Sequence, residues 1–277
     1  MLNINTNYAA AFATNAAKRT TASIETAMER LSTGSRINYS RDDAAGLAIA
    51  TRLNSEVQSL SAASRNAADA QSMLDTTDGA LAETHSVLIR MRELAVQAAN
   101  GTLDDTDRAA LDAEFQQLES EIDRINSNTS FAGVSLFDGS SKTFHIGTGN
   151  AVSDKVSHTF TSLASHNLDL DSAGPNNVVG GTTADDVVRD LTSAANAQTM
   201  LGEIDTAIAT VSTERGKLGA LSNRLSSTVA NLDQIGVNLS SSKGRIQDAD
   251  FAAETSNLAK SQILQQAATA MLAQANA

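Results

Sequence analysis

The sequence predicts a mainly α, elongated protein whose N- and C-terminal halves form an antiparallel, coiled-coil-like helical bundle with a small β-hairpin region. Apolar residues recur at alternating spacings of three and four from Ala50 to Ala98, and no Pro interrupts them. This spacing is typical of a helix that packs lengthwise against other helices. Helical spacing returns over 197–239 after a strand-like stretch. The order of elements is therefore nearly palindromic, which predicts both termini at one end of a rod.

The long N-terminal helix sets the expected dimensions. Over residues 42–99 it would be roughly 87 Å long at about 1.5 Å per residue. A compact chain of 277 residues has a radius of gyration of only about 19 Å. Ser40 and Asp43 give an N-cap signal at its start, and Gly101 after Asn100 is typical of a helix end. The larger residues of its apolar seam are Leu53, Val57, Leu60, Leu74, Leu81, Leu88 and Met91.

Shorter helices are predicted on both sides of the long one. The first covers about 6–32 and ends at Gly34, and a polar link over 35–41 follows it. Asp104, with Asp107 three residues later, starts a third helix after the long one. We interpret the large apolar residues of the first helix as one stripe, formed by Ile4, Tyr8, Phe12, Ile24, Met28 and Leu31.

After the third helix the periodicity becomes strand-like. Segments 144–146 and 156–160 flank a Gly-rich turn, which is typical of a hairpin. Polar residues at 240–244 predict a break in the returning helix, and Asp248 or Asp250 would cap a last helix. We therefore expect three parts: terminal helices, a long-helix rod domain, and the hairpin with a short solvent-facing insert. Their bounds are 1–41 plus 243–277, 42–137 plus 191–242, and 138–190.

Both ends of the chain are uncharged and amphipathic. Neither 1–17 nor 261–277 carries a charged side chain, and both are too short and too rich in Asn and Gln to span a bilayer. The first lacks the basic flank of a signal peptide. Such ends indicate a surface that becomes ordered on assembly, or pairing with each other within one chain, and the two are compatible. The apolar residues of the C-terminal helix are Phe251, Leu258, Ile263, Leu264, Met271 and Leu272.

The composition argues against several classes of function. A net charge of −12 disfavours binding to nucleic acid or to an anionic membrane surface. The absence of Cys excludes disulfides and thiolate sites. Nucleotide-binding, hydrolase and metalloprotease motifs are absent from the sequence, so we predict neither an enzyme nor a cofactor.

Two metal-site hypotheses are weaker than ordinary alternatives. His145 and His158 could face each other across the hairpin, but a metal site needs three or four ligands, which favours polar surface. Acidic pairs could suggest calcium, although helix caps and solvated loops explain most of them better. These pairs lie at 104–105, 169–171, 185–186 and 248–250.

A polar strip on the long helix is open to two interpretations. Arg90, Arg92, Glu93 and Gln97 lie at helical spacing beside the apolar Leu94. They form either an ordinary solvated face or a surface for a partner.

Three motifs resemble those of the bacterial flagellin family. Residues 29–50, ERLSTGSRINYSRDDAAGLAIA, resemble its N-terminal signature. Residues 90–101, RMRELAVQAANG, and 248–276, DADFAAETSNLAKSQILQQAATAMLAQAN, resemble its next landmarks. The resemblance covers about 1–160 and 194–277. Flagellins usually continue past the position of Ala277 through a Leu-rich end, so the sequence is cut, its tail is missing, or the inner tube is thinner.

The resemblance implies a structural subunit that self-assembles into the helical filament of the bacterial flagellum, for swimming motility. In flagellins the terminal helices pair in the inner tube, the long helices form the outer tube, and the variable middle faces solvent. The resemblance also implies unfolded export through the flagellar type III apparatus to an extracellular location. Expected partners are other copies, an export chaperone around 251–277, and a cap protein. The link at 34–43 and the hairpin at 131–160 are the expected places for switching between subunit packings.

The resemblance extends to two contacts with host innate immune receptors. For the plant flagellin receptor kinase, the matching positions are Arg36, Asp42, Asp43 and Gly46. For Toll-like receptor 5, they are Arg90, Leu94 and Glu114. The sequence departs from the usual pattern at Tyr39 and Ser40, where small residues are common, and at Leu118, where some recognised flagellins have a basic residue.

Two other functions share this helical plan. A hook–filament junction protein usually carries a Pro after the Asp-Asp pair, whereas Ala44 follows Asp43 here, which favours flagellin. A surface adhesin would need more exposed surface than the short insert at 138–190 offers.

Overall fold

The computed structural model describes residues 7–168, 170 and 190–276, and it confirms the mainly α fold class. Its helices are α1 (Tyr8–Thr33), α2 (Ala44–Ala98), α3 (Asp105–Asn128), α4 (Ala194–Gln247) and α5 (Phe251–Asn276). Its strands are β1 (Ser130–Phe131), β2 (Val134–Ser135), β3 (Ser141–His145) and β4 (Lys155–Thr159). Single 3₁₀ turns cover Val152–Asp154 and Ser165–Leu168.

The chain forms two compact units. One unit combines Met1–Ser59 with Gln234–Ala277, and the other is Leu60–Asp233. Helices α2 and α4 therefore contribute residues to both units. The three-part division expected from the sequence remains a prediction.

In the first unit, α1 and α5 pair in an antiparallel manner through small residues. Ala13 and Ala27 of α1 and Ser261 and Ala268 of α5 are buried. The α5 residues continue a seven-residue spacing that begins at the buried Glu254, as in a coiled-coil seam. Pairing of the two ends within one chain, which the uncharged termini allowed, is present.

Two polar contacts fix the register of this pair. Arg30 Nη1 lies 3.5 Å from Glu254 Oε1, and Gln265 Nε2 donates a hydrogen bond of 3.3 Å to Thr21 Oγ1. Because Glu254 is buried, its ion pair with Arg30 offsets part of the desolvation cost of the carboxylate.

The prediction of a single apolar stripe on α1 is wrong. Ile24 and Leu31 flank the small-residue seam and are half-buried, whereas Tyr8, Phe12 and Met28 are exposed. The physical reason is the helical repeat, because the step from Phe12 to Ile24 is about 3.3 turns at 3.6 residues per turn. These side chains therefore point in different directions. Ile4 lies outside the described residues.

Two predicted helix caps at the N-terminal half are present. Gly34 ends α1 in the left-handed region (φ 68°), and its N–H donates to the Arg30 carbonyl at 2.9 Å. Asp104 starts α3 by accepting a hydrogen bond of 2.8 Å from the Asp107 N–H.

The C-terminal half contains one wrong prediction. The expected break at 240–244 is absent, because α4 continues to Gln247. Within that segment the Ser242 hydroxyl donates to the Asn238 carbonyl at 2.8 Å, so a polar residue is accommodated inside the helix. The next helix starts as expected, with Asp250 Oδ1 accepting from the Ala252 N–H at 2.9 Å.

The end of α2 differs from the prediction as well. Gly101 is not in the left-handed region, and α2 ends three residues earlier, at Ala98. The buried Arg108 of α3 satisfies the helix end instead. Its Nε donates to the Ala98 carbonyl and its Nη2 to the Asn100 carbonyl, each at 3.0 Å. Arginine therefore supplies the hydrogen bonds that a Gly-based cap would have supplied.

The second unit contains the hydrophobic core. Residues of the predicted α2 seam within this unit are buried, as are apolar residues of α3, β4 and α4. The buried seam residues are Leu60, Leu74, Leu81, Leu88 and Met91. The α4 residues that belong to the same core include Ile204, Val211, Leu218 and Leu225. Of the other seam residues, Leu53 and Val57 are half-buried in the first unit.

Charged pairs run along the edge of the α2–α4 contact in this unit. Arg215 Nε donates to Asp78 Oδ1 at 2.8 Å, and Arg92 Nε donates to Asp205 Oδ1 at 2.6 Å. The α2 number rises while the α4 number falls, so the two helices are antiparallel. Since these groups are exposed or partly exposed, we expect the ion pairs to help fix the register of α2 against α4 and to contribute little to stability.

The predicted hairpin is present, with β3 antiparallel to β4 and Phe144 opposite Val156. In this register His158 lies opposite Lys142, and His145 opposite Lys155, so the expectation that the two histidines face each other is wrong. His158 Nε2 lies instead 3.0 Å from Oε1 of the buried Glu214 in α4.

Candidate assembly and receptor surfaces

The paired terminal helices expose large apolar side chains. Phe12 is 77% exposed and Ile263 is 66% exposed. Because the seam between α1 and α5 is formed mainly by small residues, many of the large apolar side chains lie outside it. Exposed apolar surface of this kind marks a contact site. The exposed set is Tyr8, Phe12, Met28, Phe251, Ile263, Leu264 and Met271. The half-buried set is Ile24, Leu31, Leu258 and Leu272.

The link after α1 is held against the end of α4 in the first unit. The Arg36 N–H donates to the Gln247 carbonyl, and Arg36 Nη2 donates to the Ile246 carbonyl, each at 2.7 Å. The Ala249 N–H donates to the Gly34 carbonyl at 3.0 Å. Arg36 therefore has a structural role in addition to being exposed.

Asp42 orders the same link from within. Its Oδ2 accepts hydrogen bonds from the Tyr39 N–H at 2.9 Å and the Asn38 N–H at 3.1 Å. These two bonds, the first above all, hold the pKa of Asp42 below its ordinary value. The link thus gains stability from this carboxylate above its unfolded pKa, and loses it as pH falls through the lower folded pKa.

Asp43 and Gly46 form the N-terminus of α2. Asp43 Oδ1 accepts a hydrogen bond of 2.8 Å from the Gly46 N–H, so Asp43, and not Ser40, is the N-cap. A Cβ on Gly46 would collide with the Asp43 carboxylate and lie 2.7 Å from Cδ1 of the buried Ile37. The helix start therefore requires glycine at this position because of its close neighbours.

We predict opposite effects of alanine at two glycines of α2. Gly46→Ala is expected to lower the free energy of unfolding by about 1–3 kcal/mol, since the added methyl group overpacks the cap. Gly79→Ala is the matched control: its Cβ would meet nothing within 4 Å, so it is expected to stabilise by about 0.5–1 kcal/mol. Urea unfolding followed by circular dichroism measures both. Equal effects of the two substitutions would contradict this account of the helix start.

The residues matched to Toll-like receptor 5 recognition lie together in the second unit. Arg90 of α2 binds Glu114 of α3 through both Nε (3.0 Å) and Nη2 (2.7 Å), and its Nη1 binds Glu93 at 3.0 Å. The hydrogen bonds that Arg90 donates to the Glu114 carboxylate are the largest cause of the raised pKa of Arg90. Leu94, four residues after Arg90, is buried in the core of this unit. The polar strip is thus a charged surface supported by a core residue, and Leu94 itself is not exposed.

Neither metal-binding clusters nor membrane-spanning helices occur in the part of the chain that the structure describes. Its His, Asp and Glu side chains nowhere gather in threes as metal ligands would. None of the helices there combines the length and hydropathy that crossing a bilayer requires. The acidic pairs at 104–105 and 248–250 include helix caps at Asp104 and Asp250. The pairs at 169–171 and 185–186 fall outside the described residues.

Comparison with known families decides the identity. The N-terminal helical region of bacterial flagellin matches residues 4–142, and its C-terminal helical region matches residues 201–277. The chain belongs to the bacterial flagellin family. It is a structural subunit of the flagellar filament and not an enzyme. The resemblance inferred from the three sequence motifs is confirmed.

Individual relatives agree with the family. The chain is 42% identical to a flagellin of Halalkalibacterium halodurans over 90% of this chain and 87% of that flagellin. It is 38% identical to a flagellin of Bacillus subtilis over 99% of this chain and 96% of that one. Its fold is also similar to that of a candidate flagellar hook-associated protein of Vibrio parahaemolyticus, with a TM-score of 0.58 at 18% identity over 75% of this chain and 100% of that one. The helical plan alone does not separate these classes, whereas the sequence relationships place this chain among the flagellins.

Proposed function

We propose that this flagellin polymerises through the outward-facing apolar residues of α1 and α5. The observation that supports the proposal most is the small-residue seam, which joins the two helices while leaving seven large apolar side chains exposed. Covering one such side chain stabilises a contact by about 1.5–3 kcal/mol. Burial against other copies is therefore a strong driving force for assembly. In this proposal α1 and α5 line the inner tube, and α2 and α4 form the outer tube.

We further infer an extracellular location after export, unfolded, through the flagellar type III apparatus. This inference rests on membership of the flagellin family. An export chaperone would cover residues 251–277, whose exposed Phe251, Ile263, Leu264 and Met271 require shielding before assembly. A cap protein would guide addition of subunits at the filament tip.

Host immune receptors are proposed partners of two further surfaces. The exposed Arg90–Glu114 pair supports a contact with Toll-like receptor 5 in which the receptor binds the two charged side chains directly. Leu94 would then contribute indirectly, as a buried residue of the core to which both α2 and α3 contribute. At the plant receptor epitope, Arg36 and Asp42 are exposed, while Asp43 and Gly46 shape the helix start.

Deletion of residues 1–17 tests the assembly proposal. The trimmed chain is expected not to form filaments, because it loses Tyr8 and Phe12 and part of the α1 seam. The core of Leu60–Asp233 is expected to stay folded, because it lies in the other compact unit. Electron microscopy after salting-out measures assembly, and circular dichroism measures the remaining helix. Filaments formed by the trimmed chain would refute the assignment of the terminal helices.

A further inference from the structure

The Asn100–Gly101 step is the one Asn-Gly sequence in the chain, and it lies in the exposed turn between α2 and α3. A Cβ built on Gly101 would meet nothing within 4 Å. Among the described residues, the Gly101 N–H donates no backbone hydrogen bond. The backbone nitrogen is therefore accessible and unprotected, unlike the nitrogens within the neighbouring helices.

The Asn100 side chain is folded toward the following backbone. Its Oδ1 accepts a hydrogen bond of 3.3 Å from the Thr102 N–H. This contact holds the carboxamide against the backbone of the turn that follows Asn100. Nucleophile and carbonyl carbon are thus neighbours in the folded chain.

The buried Arg108 contacts the same peptide through its carbonyl oxygen. Its Nη2 donates a hydrogen bond of 3.0 Å to the Asn100 carbonyl oxygen. That carbonyl shares one peptide bond with the Gly101 N–H. A positively charged donor on the carbonyl withdraws electron density from the peptide, so it makes the N–H more acidic and eases loss of its proton.

We propose that Asn100 is a site of self-modification by deamidation, promoted by Arg108. The Gly101 nitrogen attacks Cγ of Asn100, an N–Cγ bond forms, and the Cγ–Nδ2 bond breaks. Ammonia leaves and takes up the proton lost from the Gly101 nitrogen, which leaves a five-membered succinimide. Water then opens the ring at either carbonyl and gives Asp or isoaspartate. The reaction consumes only water and needs no enzyme or cofactor.

The products carry a new negative charge beside Arg108. In the isoaspartate product, the oxygen that Arg108 contacts becomes part of a free carboxylate, because the chain now runs through Cγ. The guanidinium that promotes the reaction therefore forms an ion pair with this product. The backbone at the end of α2 is lengthened by one carbon, which changes the connection to α3.

Two Asp-Gly steps serve as internal comparisons. Gly79 lies within α2, where the helical backbone keeps its nitrogen in the hydrogen-bonded ladder. At the other step, the Asp138 carboxylate is held by Lys142 at 2.8 Å and by the Ser140 N–H at 3.0 Å. We expect both steps to form isoaspartate more slowly than Asn100 does.

The test is incubation of the purified full chain at mildly alkaline pH, with peptide mapping by mass spectrometry and enzymatic methylation of isoaspartate. The native chain is expected to convert Asn100 at least as fast as the same chain in urea, because Arg108 acts only in the folded state. Gly101→Ala is expected to slow conversion roughly tenfold, since a Cβ hinders the approach. Arg108→Met is expected to slow the native chain and leave the rate in urea unchanged.

Slower conversion in the native chain than in urea would overturn the proposal, because it would mean that the fold protects Asn100. Earlier modification of another Asn residue would overturn it as well. Should Arg108→Met unfold the end of α2, the comparison of the unaltered chain with and without urea, and the Gly101→Ala variant, still decide the matter.

Discussion

A subunit in which Phe12 and Ile263 are both replaced by Asp is expected to stay folded and to remain monomeric under conditions in which the unaltered chain polymerises. Both side chains are largely exposed in the single chain, so their replacement removes little packing within the α1–α5 pair. In an assembled filament each Asp would be buried without a partner, and an unpaired buried charge costs several kcal/mol. Sedimentation velocity and electron microscopy after salting-out measure the loss of assembly.

The matched control for this prediction replaces Ser23 and Ser256 by Asp on the same two helices. Both serines are exposed and polar, so the same change in net charge is made without loss of apolar surface. This control is expected to polymerise. Failure of both variants would point to a general effect of charge, and polymerisation of both would contradict the proposed role of the apolar residues.

Truncation of one residue in the core of the second unit should have the largest effect on stability. Leu88 is 0% exposed in the core that α2 shares with α4, so Leu88→Ala is expected to lower the free energy of unfolding by about 2–5 kcal/mol. The neighbouring Ile89 is 44% exposed. Ile89→Ala is therefore expected to cost less than about 1 kcal/mol, since most surface substitutions have small effects.

Chemical unfolding of the two α2 variants side by side checks this prediction. Because the two residues are adjacent in α2, they lie at nearly the same distance from the helix ends. Equal losses of stability would mean that the seam of α2 does not form the core of this unit.

The long helices α2 and α4 could be predicted from the sequence because their apolar residues are large and regularly spaced. Leu74, Leu81 and Leu88 repeat at the spacing that a lengthwise contact requires, and all three are buried. The small-residue seam of α1 and α5 could not be found in this way. Ala13 and Ala268 carry little apolar surface, so small residues of this kind give only a weak periodic pattern. The larger apolar residues of α1 therefore led to the prediction of a single stripe.

Long-range polar contacts were also beyond sequence reasoning. Nothing in the sequence near Ala98 indicates that Arg108 completes the end of α2, because this depends on how α3 packs. The pairing of His158 with Glu214 likewise depends on the position of the hairpin on α4. The start of α2 was easier to predict from the sequence, because Asp43 stands three residues before Gly46, as an N-cap residue does. The structure shows in addition why residue 46 must be glycine, since a Cβ there would collide with its neighbours.

The most direct test of the central claim is an electron micrograph of the concentrated, unaltered protein after addition of a salting-out salt. Such salts strengthen the burial of apolar surface, so the exposed side chains of α1 and α5 should drive copies together. We expect helical filaments that dissolve on dilution into folded single chains. Single molecules that stay dispersed at every concentration and salt condition would contradict it.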